Sequence, residues 1–536
     1  MRRNPGNRVE PPSTTVTSRR FRPAEAVGSG IFVSRLTGLV RDIAVAAFLG
    51  TQFAADAYWA AIKIPNIIRN LLGEGTLSAS FVPVYSESLS GADIDAEDAP
   101  RLARSVLGLV AVSALLLSAL GVIFAPWITG VLLAASDEQT RDLTTRLVRI
   151  LFPMSGVLII GAWFLGVLNS HGRFFLPFAA PALWNLSQVA GLILAARLGS
   201  DRLAEALAWS ALLGAVLQVG IQIPQALKLS KVRSPGVEWS HEPVRRVARN
   251  TLPVISSQGV LQISSLVDIM LASLAGAGAM AALGYSQRLA YLPISLFGMS
   301  VAAAALPAMS RDPSPAALRE RLVNGWFQIL FFVLPAALVL LLFGDLAVGL
   351  VYQRGEFGPD STNLVAAVLA AYAVGLVAAS SIKLFAAGFH ALQDTSTPMR
   401  VAVMSVGIGV TASLVLTIGM RRAGFGPYSA VGIALGSAIG SWTNLALLWF
   451  LLGRKLDRVF PPSALRSALR LGAAAAAAVV AASVVRLFLE PRLPWSGFAG
   501  TALLFGAVLT AGGVVYLGIA RRPPSPETPI GSDGNA

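Results

Sequence analysis

The sequence predicts an all-α membrane protein that crosses the bilayer many times. Three properties indicate this fold class: 55% of the 536 residues are hydrophobic, only 13% are charged, and the mean hydropathy is +0.67. A membrane-spanning helix needs about 20 mostly apolar residues, so a chain of this length has room for roughly fourteen spans joined by short loops. Little is left for a soluble domain.

Fourteen apolar segments of sufficient length follow one another along the chain. We predict spans at 24–50, 57–84, 104–135, 144–168, 176–198, 204–225, 248–275, 281–308, 322–351, 363–391, 398–420, 427–452, 466–489 and 496–520. The segment before the first span is polar and basic and has no apolar h-region, which indicates a disordered tail rather than a signal peptide.

The basic residues predict the orientation and the division of the chain. Lys and Arg outside the spans concentrate on the side that holds both termini, which predicts cytoplasmic termini. A basic segment between spans six and seven divides the first twelve helices into two lobes. The predicted order is a basic cytoplasmic tail at 1–23, an N-lobe of six helices at 24–226, a basic cytoplasmic linker at 227–247, a C-lobe of six helices at 248–453, two further helices at 454–520 and a disordered cytoplasmic tail at 521–536.

A weak internal repeat supports the two lobes. Asp42 aligns with Asp268 and Gly50 with Gly276, and prolines follow at similar distances in both copies. The copies lie an even number of spans apart, so the repeat is parallel. Transporters built from such repeats bind their substrate between the lobes and expose it to each side in turn.

Composition excludes several classes of function. The absence of cysteine rules out disulfides, thiolate metal sites and a Cys nucleophile, and the three separated histidines form no HExxH zinc helix. No GxxxxGK[ST] loop is present to bind ATP. The net charge is +14, but the basic residues lie between apolar segments rather than on the face of a soluble domain, so nucleic-acid binding is not expected. We expect no catalytic residue, metal or cofactor.

Charges inside the predicted spans are the strongest functional signal, because they are costly in a bilayer and usually mark a substrate or ion path. In the first span Arg35 and Asp42 are seven residues apart and share one helix face, with Arg41 about 100° from Asp42. The second span contains Pro65 and a Gly-Glu-Gly sequence, which predict a kinked and broken helix of the kind that lines transport sites.

These residues predict a cavity with net positive charge and an anionic substrate. A guanidinium fork suits a diphosphate, which it binds with two parallel hydrogen bonds. The candidates for substrate binding are Arg35, Arg41, Arg69 and Arg288. The candidates for gating or charge balance are Asp42, Asp56, Lys63, Asn66 and Glu74.

Several of these residues have a simpler interpretation. Arg35 and Arg41 can extend to the membrane surface, where a long basic side chain reaches water. For Asp42 and Asp56 the simpler interpretation is that they are structural counter-ions without a role in transport. Asp268, alone in span seven, is either a helix-packing group or a ligand for a cation.

Several sequence segments together resemble one known family, and the opening stretch, which includes SRLTGLVRD and KIPNIIRNLLGEG, carries the strongest likeness. It resembles the MurJ family, also called MviN, of bacterial lipid II flippases in the multidrug/oligosaccharidyl-lipid/polysaccharide exporter superfamily. Further segments follow in the family's order. They are LNSHGRFFLPFAAPALWN (168–185), GAVLQVGIQIPQ (214–225), YSQRLAYLP (285–293), VYQRGEF (351–357) and AAGFHALQDTSTP (386–398).

The resemblance implies fourteen helices, two lobes in a V shape and a groove at 454–520 for a polyprenyl tail. It also implies that the chain carries lipid II, an undecaprenyl-diphosphate-linked disaccharide-pentapeptide, from the inner to the outer leaflet of the bacterial plasma membrane by alternating access. The positions that match the family's important cavity charges are Arg35, Arg41, Asp56, Arg69, Glu74 and Arg288.

Energy coupling is the point at which the sequence departs from some relatives. Those relatives have a pattern of sodium-binding residues, with an acidic residue in span seven and Asn and Asp in span eleven. Asp268 occupies the first position, but 398–420 contains neither Asn nor Asp. We therefore expect membrane potential or protons, rather than sodium, to bias the cycle. Moving one charge through the potential is worth about 2.3 kcal/mol per 100 mV.

Lipid II, membrane lipids and cell-wall synthesis proteins are the expected partners, and a monomer is expected because two lobes complete a transport path. Two alternative functions remain. One is a related exporter of another lipid-linked oligosaccharide or a small-molecule antiporter, although an antiporter of cationic drugs would need an acidic cavity. The other is a non-transporting scaffold for cell-wall synthesis, in which cavity charges could be replaced without effect.

Overall fold

The computed structural model describes residues 22–90, 98–456, 462–492 and 497–520, which are helical with short connections and contain no strand. The predicted terminal tails lie outside these ranges from residue 1 to 21 and from 521 onward. The helices of the first half are α1 (Arg22–Leu49), α2 (Phe53–Leu72), α3 (Glu74–Ser90), α4 (Asp98–Leu132), α5 (Glu138–Ser170), α6 (Phe175–Ala179), α7 (Pro181–Arg197), α8 (Leu203–Gly220) and α9 (Ile223–Ser230).

The second half begins after a non-helical stretch at 231–241, which lies within the predicted linker 227–247. Its helices are α10 (Glu242–Ala275), α11 (Ala279–Pro293), α12 (Met299–Arg311), α13 (Pro315–Leu342), α14 (Gly344–Tyr352), α15 (Pro359–Ala391), α16 (Ser396–Arg422), α17 (Ala430–Leu456), α18 (Pro462–Leu489) and α19 (Phe498–Ala520). A π-helical turn at Ile294–Gly298 joins α11 to α12.

Eleven helical segments of the described ranges are long and apolar enough to cross a membrane. This confirms the predicted all-α polytopic fold, whereas the count of fourteen spans stays a prediction. The segments outside the eleven are helical as well: α1, the α2–α3 pair, and α10, whose apolar part is the shorter Gln262–Ala275. The first two carry the intramembrane charges identified in the sequence, and these charges separate them from the eleven.

The predicted second span is broken at one of the predicted places. Pro65 lies inside α2, which continues to Leu72, so the expected kink at this proline does not end the helix. The break comes at Gly73, where the backbone leaves helical geometry before α3 begins. A Cβ at Gly73 would lie 2.4 Å from the carbonyl oxygen of Arg69, so only glycine fits this turn.

Each lobe is organised around one central helix. In the N-lobe α5 packs against α2, α4 and α8, and in the C-lobe α15 packs against α11, α13 and α17. These are the two most buried of the eleven spans. They are the fourth and the tenth predicted spans, which occupy the same place in the two copies of the predicted repeat.

Small residues allow the C-lobe helices to approach closely, as is common between helices in membranes. A Cβ at Gly375 of α15 would lie 2.8 Å from the Cα of Ala438 of α17. On the other side of α17, a Cβ at Gly436 would lie 2.1 Å from the Oγ of Ser413 on α16. Any larger residue at these glycines would push the helices apart.

The two lobes meet at the end of the bundle that holds Gly50, which we call the Gly50 end. The backbone N–H of Glu356 donates to the carbonyl of Ala47 over 2.9 Å, and the Tyr285 hydroxyl donates to the carbonyl of Gly50 over 3.1 Å. Gly50 has a φ of +58°, and its repeat counterpart Gly276 has a φ of +108°. Both glycines therefore turn the chain at the same end, as their alignment predicts.

The last two helices are attached to the C-lobe by an ion pair. Arg486 of α18 donates to both carboxylate oxygens of Asp345 at the start of α14, over 3.0 and 2.5 Å. Both side chains are partly shielded from solvent. This bidentate contact fixes the position of α18 beside α14.

We expect Arg486→Ala to destabilise the protein by about 1 kcal/mol, since a charge-assisted, bidentate contact is lost at a partly exposed site. Thermal unfolding in detergent measures the change. Arg492→Ala is the matched control, because the Arg492 side chain contacts only Phe488 of its own segment among the described residues. Equal melting temperatures for the two variants would contradict the prediction.

Candidate substrate cavity

A cavity of about 990 Å³ lies between the two lobes. Its walls come from α1–α3 and α5–α8 on one side and from α10, α11, the π-helical turn and α14 on the other. Most of the residues predicted from the sequence as site residues line it, and Asp56 and Asp268 do not. The predicted residues that line it are Arg35, Arg41, Asp42, Lys63, Asn66, Arg69, Glu74 and Arg288.

The charge of this cavity is strongly unbalanced. Five cationic side chains and two carboxylates line it within the described ranges. The structure therefore brings together the basic cavity that the span positions predicted. An environment of this kind attracts an anion and repels a cation.

Asp42 contacts arginines of both lobes. Arg41 donates to Asp42 Oδ1 from Nη2 over 2.7 Å and from Nε over 3.1 Å, and Arg288 Nε lies 3.7 Å from Asp42 Oδ2. Asp42 and Arg41 are buried, whereas half of the Arg288 side chain is exposed to the cavity. Asp42 thus balances one buried arginine and holds the arginine of the opposite lobe near it.

Arg41 is held on all sides within the protein. Its Nη1 donates to Asn185 Oδ1 over 3.0 Å, and its guanidinium carbon lies 4.9 Å from the ring centre of Trp184. Asn185 in turn donates to the carbonyl of Ser34 and to the Thr37 hydroxyl. The interpretation of Arg41 as a side chain that reaches the membrane surface is therefore wrong.

The other cations of the cavity have fewer protein partners. Arg35 donates from Nη1 to the Ser295 hydroxyl over 3.1 Å, which is a contact between the lobes. The guanidinium of Arg288 lies 5.8 Å from the Trp59 ring centre. Arg69 is half-buried on the cavity wall, one turn before Gly73. These three side chains retain donors for a ligand.

Asp56 lies at the Gly50 end rather than in the cavity. It is buried, and its carboxylate accepts from the backbone N–H groups of Gly278, over 2.5 Å, and Ala281, over 2.7 Å. The first N–H groups of a helix have no acceptor within the helix and carry partial positive charge. Asp56 of the N-lobe therefore caps the N-terminus of α11 in the C-lobe.

Asp268 of α10 lies outside the cavity wall. The nearby opposite charge that acts on it electrostatically is that of Lys63, which does line the cavity. In the described ranges, no group of three or more His, Asp and Glu side chains is arranged to hold a metal ion.

Uncharged polar residues of the wall were not identified from the sequence. They include Asn70, Trp184, Asn185, Gln218, Gln222, Gln262 and Gln287. Several of them fall in the segments 168–185 and 214–225 that carry the family resemblance, and amides inside apolar spans are the signal that could have revealed them.

An apolar groove of about 520 Å³ adjoins the cavity. It runs between α13 and α14 on one side and α18 and α19 on the other. Leu289 and Leu292 line both the groove and the cavity, so the two spaces meet at α11.

Comparison with protein families and relatives shows one consistent likeness. The family model described as lipid II flippase MurJ matches residues 45–504. A probable lipid II flippase MurJ of Rhizobium tropici is 32% identical over 443 residues, which cover 80% of each chain. The lipid II flippase MurJ of Burkholderia cenocepacia is 30% identical over 452 residues, which cover 83% of this chain and 85% of the relative.

Solved structures share the fold. A lipid II flippase MurJ in an inward closed conformation superposes with a TM-score of 0.72 at 23% identity, covering 92% of this chain and 99% of that one. An inward-facing multidrug resistance MATE family transporter of the MOP superfamily superposes with a TM-score of 0.66 at 15% identity, covering 82% and 98%.

Proposed function

The chain belongs to the lipid II flippase MurJ family and is a lipid II flippase, a membrane transporter rather than an enzyme, and we propose that the cavity between its lobes binds the head group of lipid II. The observation that carries this proposal is the excess of cations over carboxylates on the cavity wall. The head group contains a diphosphate, and its peptide adds carboxylates. Guanidinium groups bind both through paired hydrogen bonds.

We assign different roles to the arginines according to their protein partners. Arg35, Arg69 and Arg288 retain donors for the diphosphate. Arg41 is engaged with Asp42 and Asn185, so it acts mainly through the positive potential that it adds and through the position of Asp42. Glu74 lies on the same wall, where its charge acts on Arg69, and Asn66 lies there with an Oδ1 that accepts no hydrogen bond from a described residue.

The polyprenyl tail is expected to occupy the apolar groove between α13–α14 and α18–α19. The groove meets the cavity at Leu289 and Leu292, so a single lipid can place its head group in one space and its tail in the other. Burial of the tail against apolar side chains or bilayer lipid costs little, whereas the charged head group needs the polar cavity to cross.

We propose alternating access as the transport cycle, with both termini in the cytoplasm and the chain in the bacterial plasma membrane. In that orientation the Gly50 end faces outward. Asp56, Tyr285 and Glu356 hold the lobes together there, so this conformation is closed to the outside. Their contacts must break for the head group to leave.

The proposal is tested by the fraction of lipid II cleaved by an impermeant enzyme added outside cells that are depleted of this protein. Depletion should protect lipid II, and the wild-type chain should restore cleavage. The double variant with Arg35→Ala and Arg69→Ala should not restore it. Arg400→Ala, which changes an exposed arginine of α16 outside the cavity, is the control. Full rescue by the double variant would overturn the cavity assignment.

We expect the energy source to be the membrane potential or protons rather than sodium. Replacing sodium with potassium should then leave the transport rate unchanged within twofold. The measurement is flipping of lipid II in proteoliposomes at fixed membrane potential. One outcome would support Asp268 as a cation ligand. In it, the transport rate of the wild-type chain falls tenfold without sodium, whereas the rate of Asp268→Asn does not depend on sodium.

A further inference from the structure

We propose that Gln218 and Gln222 form a subsite for the sugar next to the diphosphate, where hydroxyl and acetamido groups of the head group bind. This inference rests on the proposed function of the cavity, and it assigns one part of the head group to one wall of the cavity. Both glutamines line the cavity, on the N-lobe side.

The two glutamines lie at an interruption of a membrane helix. α8 ends at Gly220 and α9 begins at Ile223, with Gln222 between them. Pro224 causes the interruption, because it has no N–H to donate to the carbonyl of Gly220. Interrupted helices with exposed backbone groups line the binding sites of many transporters.

The chemistry of these side chains differs from that of the arginines. Gln222 is buried, and its Nε2 donates to the backbone carbonyl of Gln218 over 2.9 Å. Its Oε1 accepts no hydrogen bond from any described residue, and the Nε1 of Trp184 on the same cavity has no described acceptor. Buried polar atoms without partners are unfavourable, so a ligand that supplies the missing donor and acceptor is stabilised at this wall.

The unpaired acceptor Gln222 Oε1 and the unpaired donor Trp184 Nε1 restrict which ligand can bind here. A diphosphate or a carboxylate offers only acceptors, so it cannot satisfy Gln222 Oε1. A hydroxyl both donates and accepts, and an acetamido group carries one donor and one acceptor. A ligand with both donors and acceptors, such as a sugar, therefore completes this wall, whereas a phosphate or carboxylate would leave Gln222 Oε1 unpaired.

The position of the glutamines points to the sugar that is attached directly to the diphosphate. Asn185, the neighbour of Trp184, donates to the backbone carbonyl of Ser34, which directly precedes the proposed diphosphate ligand Arg35. A Cβ at Gly214 of α8 would lie 2.9 Å from the Cα of Trp184, so α7 and α8 touch at this level. Gln218 is one helical turn further along α8. The amides thus begin about one turn of α8 beyond the level of Trp184, next to the wall that carries Arg35, which points to the group attached directly to the diphosphate.

The experiment measures the affinity of the purified full chain for three lipids. They are lipid II, the same lipid without its pentapeptide, and undecaprenyl diphosphate. The variant is Gln218→Met with Gln222→Met, which keeps the side-chain length and removes hydrogen bonding. Gln218→Met alone is the second variant, since Gln218 is only half-buried. Retained binding of undecaprenyl diphosphate shows that the fold is intact.

We expect the double variant to bind lipid II and its peptide-free form about tenfold more weakly and undecaprenyl diphosphate unchanged. If the double variant bound all three lipids as tightly as the wild-type chain does, the sugar subsite would be overturned. An equal loss of affinity for all three lipids would overturn it as well. Loss restricted to the lipid with the pentapeptide would assign the wall to the peptide and also overturn it. Failure of the proposed function would look different from failure of the sugar subsite. In that case the wild-type chain itself would bind neither lipid II nor undecaprenyl diphosphate.

Discussion

Arg288→Ala should abolish complementation in cells depleted of this flippase while the protein remains folded and inserted. Among the described residues, Arg288 is the cation that the C-lobe presents to the cavity, and half of its side chain is exposed there. Hydrogen bonds to charged groups are worth about 1.5–3 kcal/mol each. Loss of one such bond to the diphosphate predicts about a tenfold to hundredfold weaker binding of lipid II.

The fold should tolerate this change because Asp42 keeps its partner. Arg41 remains bonded to Asp42 Oδ1 when Arg288 is removed, so no buried carboxylate is left unpaired. Arg288→Lys should restore function only in part, since a lysine keeps the charge and loses the planar fork. Arg311→Ala, an exposed arginine at the end of α12, serves as the control. Normal growth on Arg288→Ala alone would refute the role of this residue.

Asp56→Asn should open the Gly50 end and impair transport. The carboxylate accepts from two backbone N–H groups at the start of α11, and a neutral amide has one oxygen to offer them. Each hydrogen bond to a charged acceptor contributes about 1.5–3 kcal/mol, so the closed state should lose at least about tenfold in population relative to the open state.

Thiol labelling measures this opening. The chain contains no cysteine, so Leu289→Cys introduces a single thiol on the cavity wall, where Leu289 is buried. An impermeant reagent added outside should label this thiol about tenfold faster in the Asp56→Asn background. Asp360→Asn is the matched control at the same end, because Asp360 is exposed next to Ser361, which contacts Thr51, and its own side chain has no hydrogen bond or ion pair with a described residue. An unchanged labelling rate with Asp56→Asn would show that this cap does not hold the lobes closed.

Much of the fold could be predicted because the bilayer restricts what the chain can do. Backbone polar groups must be satisfied within each span, so long apolar segments become helices wherever they occur. The same restriction made Arg35, Arg69 and Arg288 recognisable as cavity residues from their positions alone. Pro65 shows the limit of this reasoning, because the sequence could not decide whether Pro65 or the Gly-Glu-Gly sequence interrupts the span, and the helix in fact continues through Pro65 and ends before Gly73.

The sequence by itself determined the all-helical membrane fold and the collection of cationic residues in the first, second and eighth predicted spans. Only the tertiary structure decided that Asp56 caps α11, that Asp42 contacts arginines of both lobes, and that Asp268 lies beside Lys63 and away from the cavity wall. The physical reason is that composition is a local property. A contact between Asp56 and Gly278 joins residues far apart in the chain through a backbone N–H, a group that every residue except proline carries and that therefore leaves no pattern in the sequence.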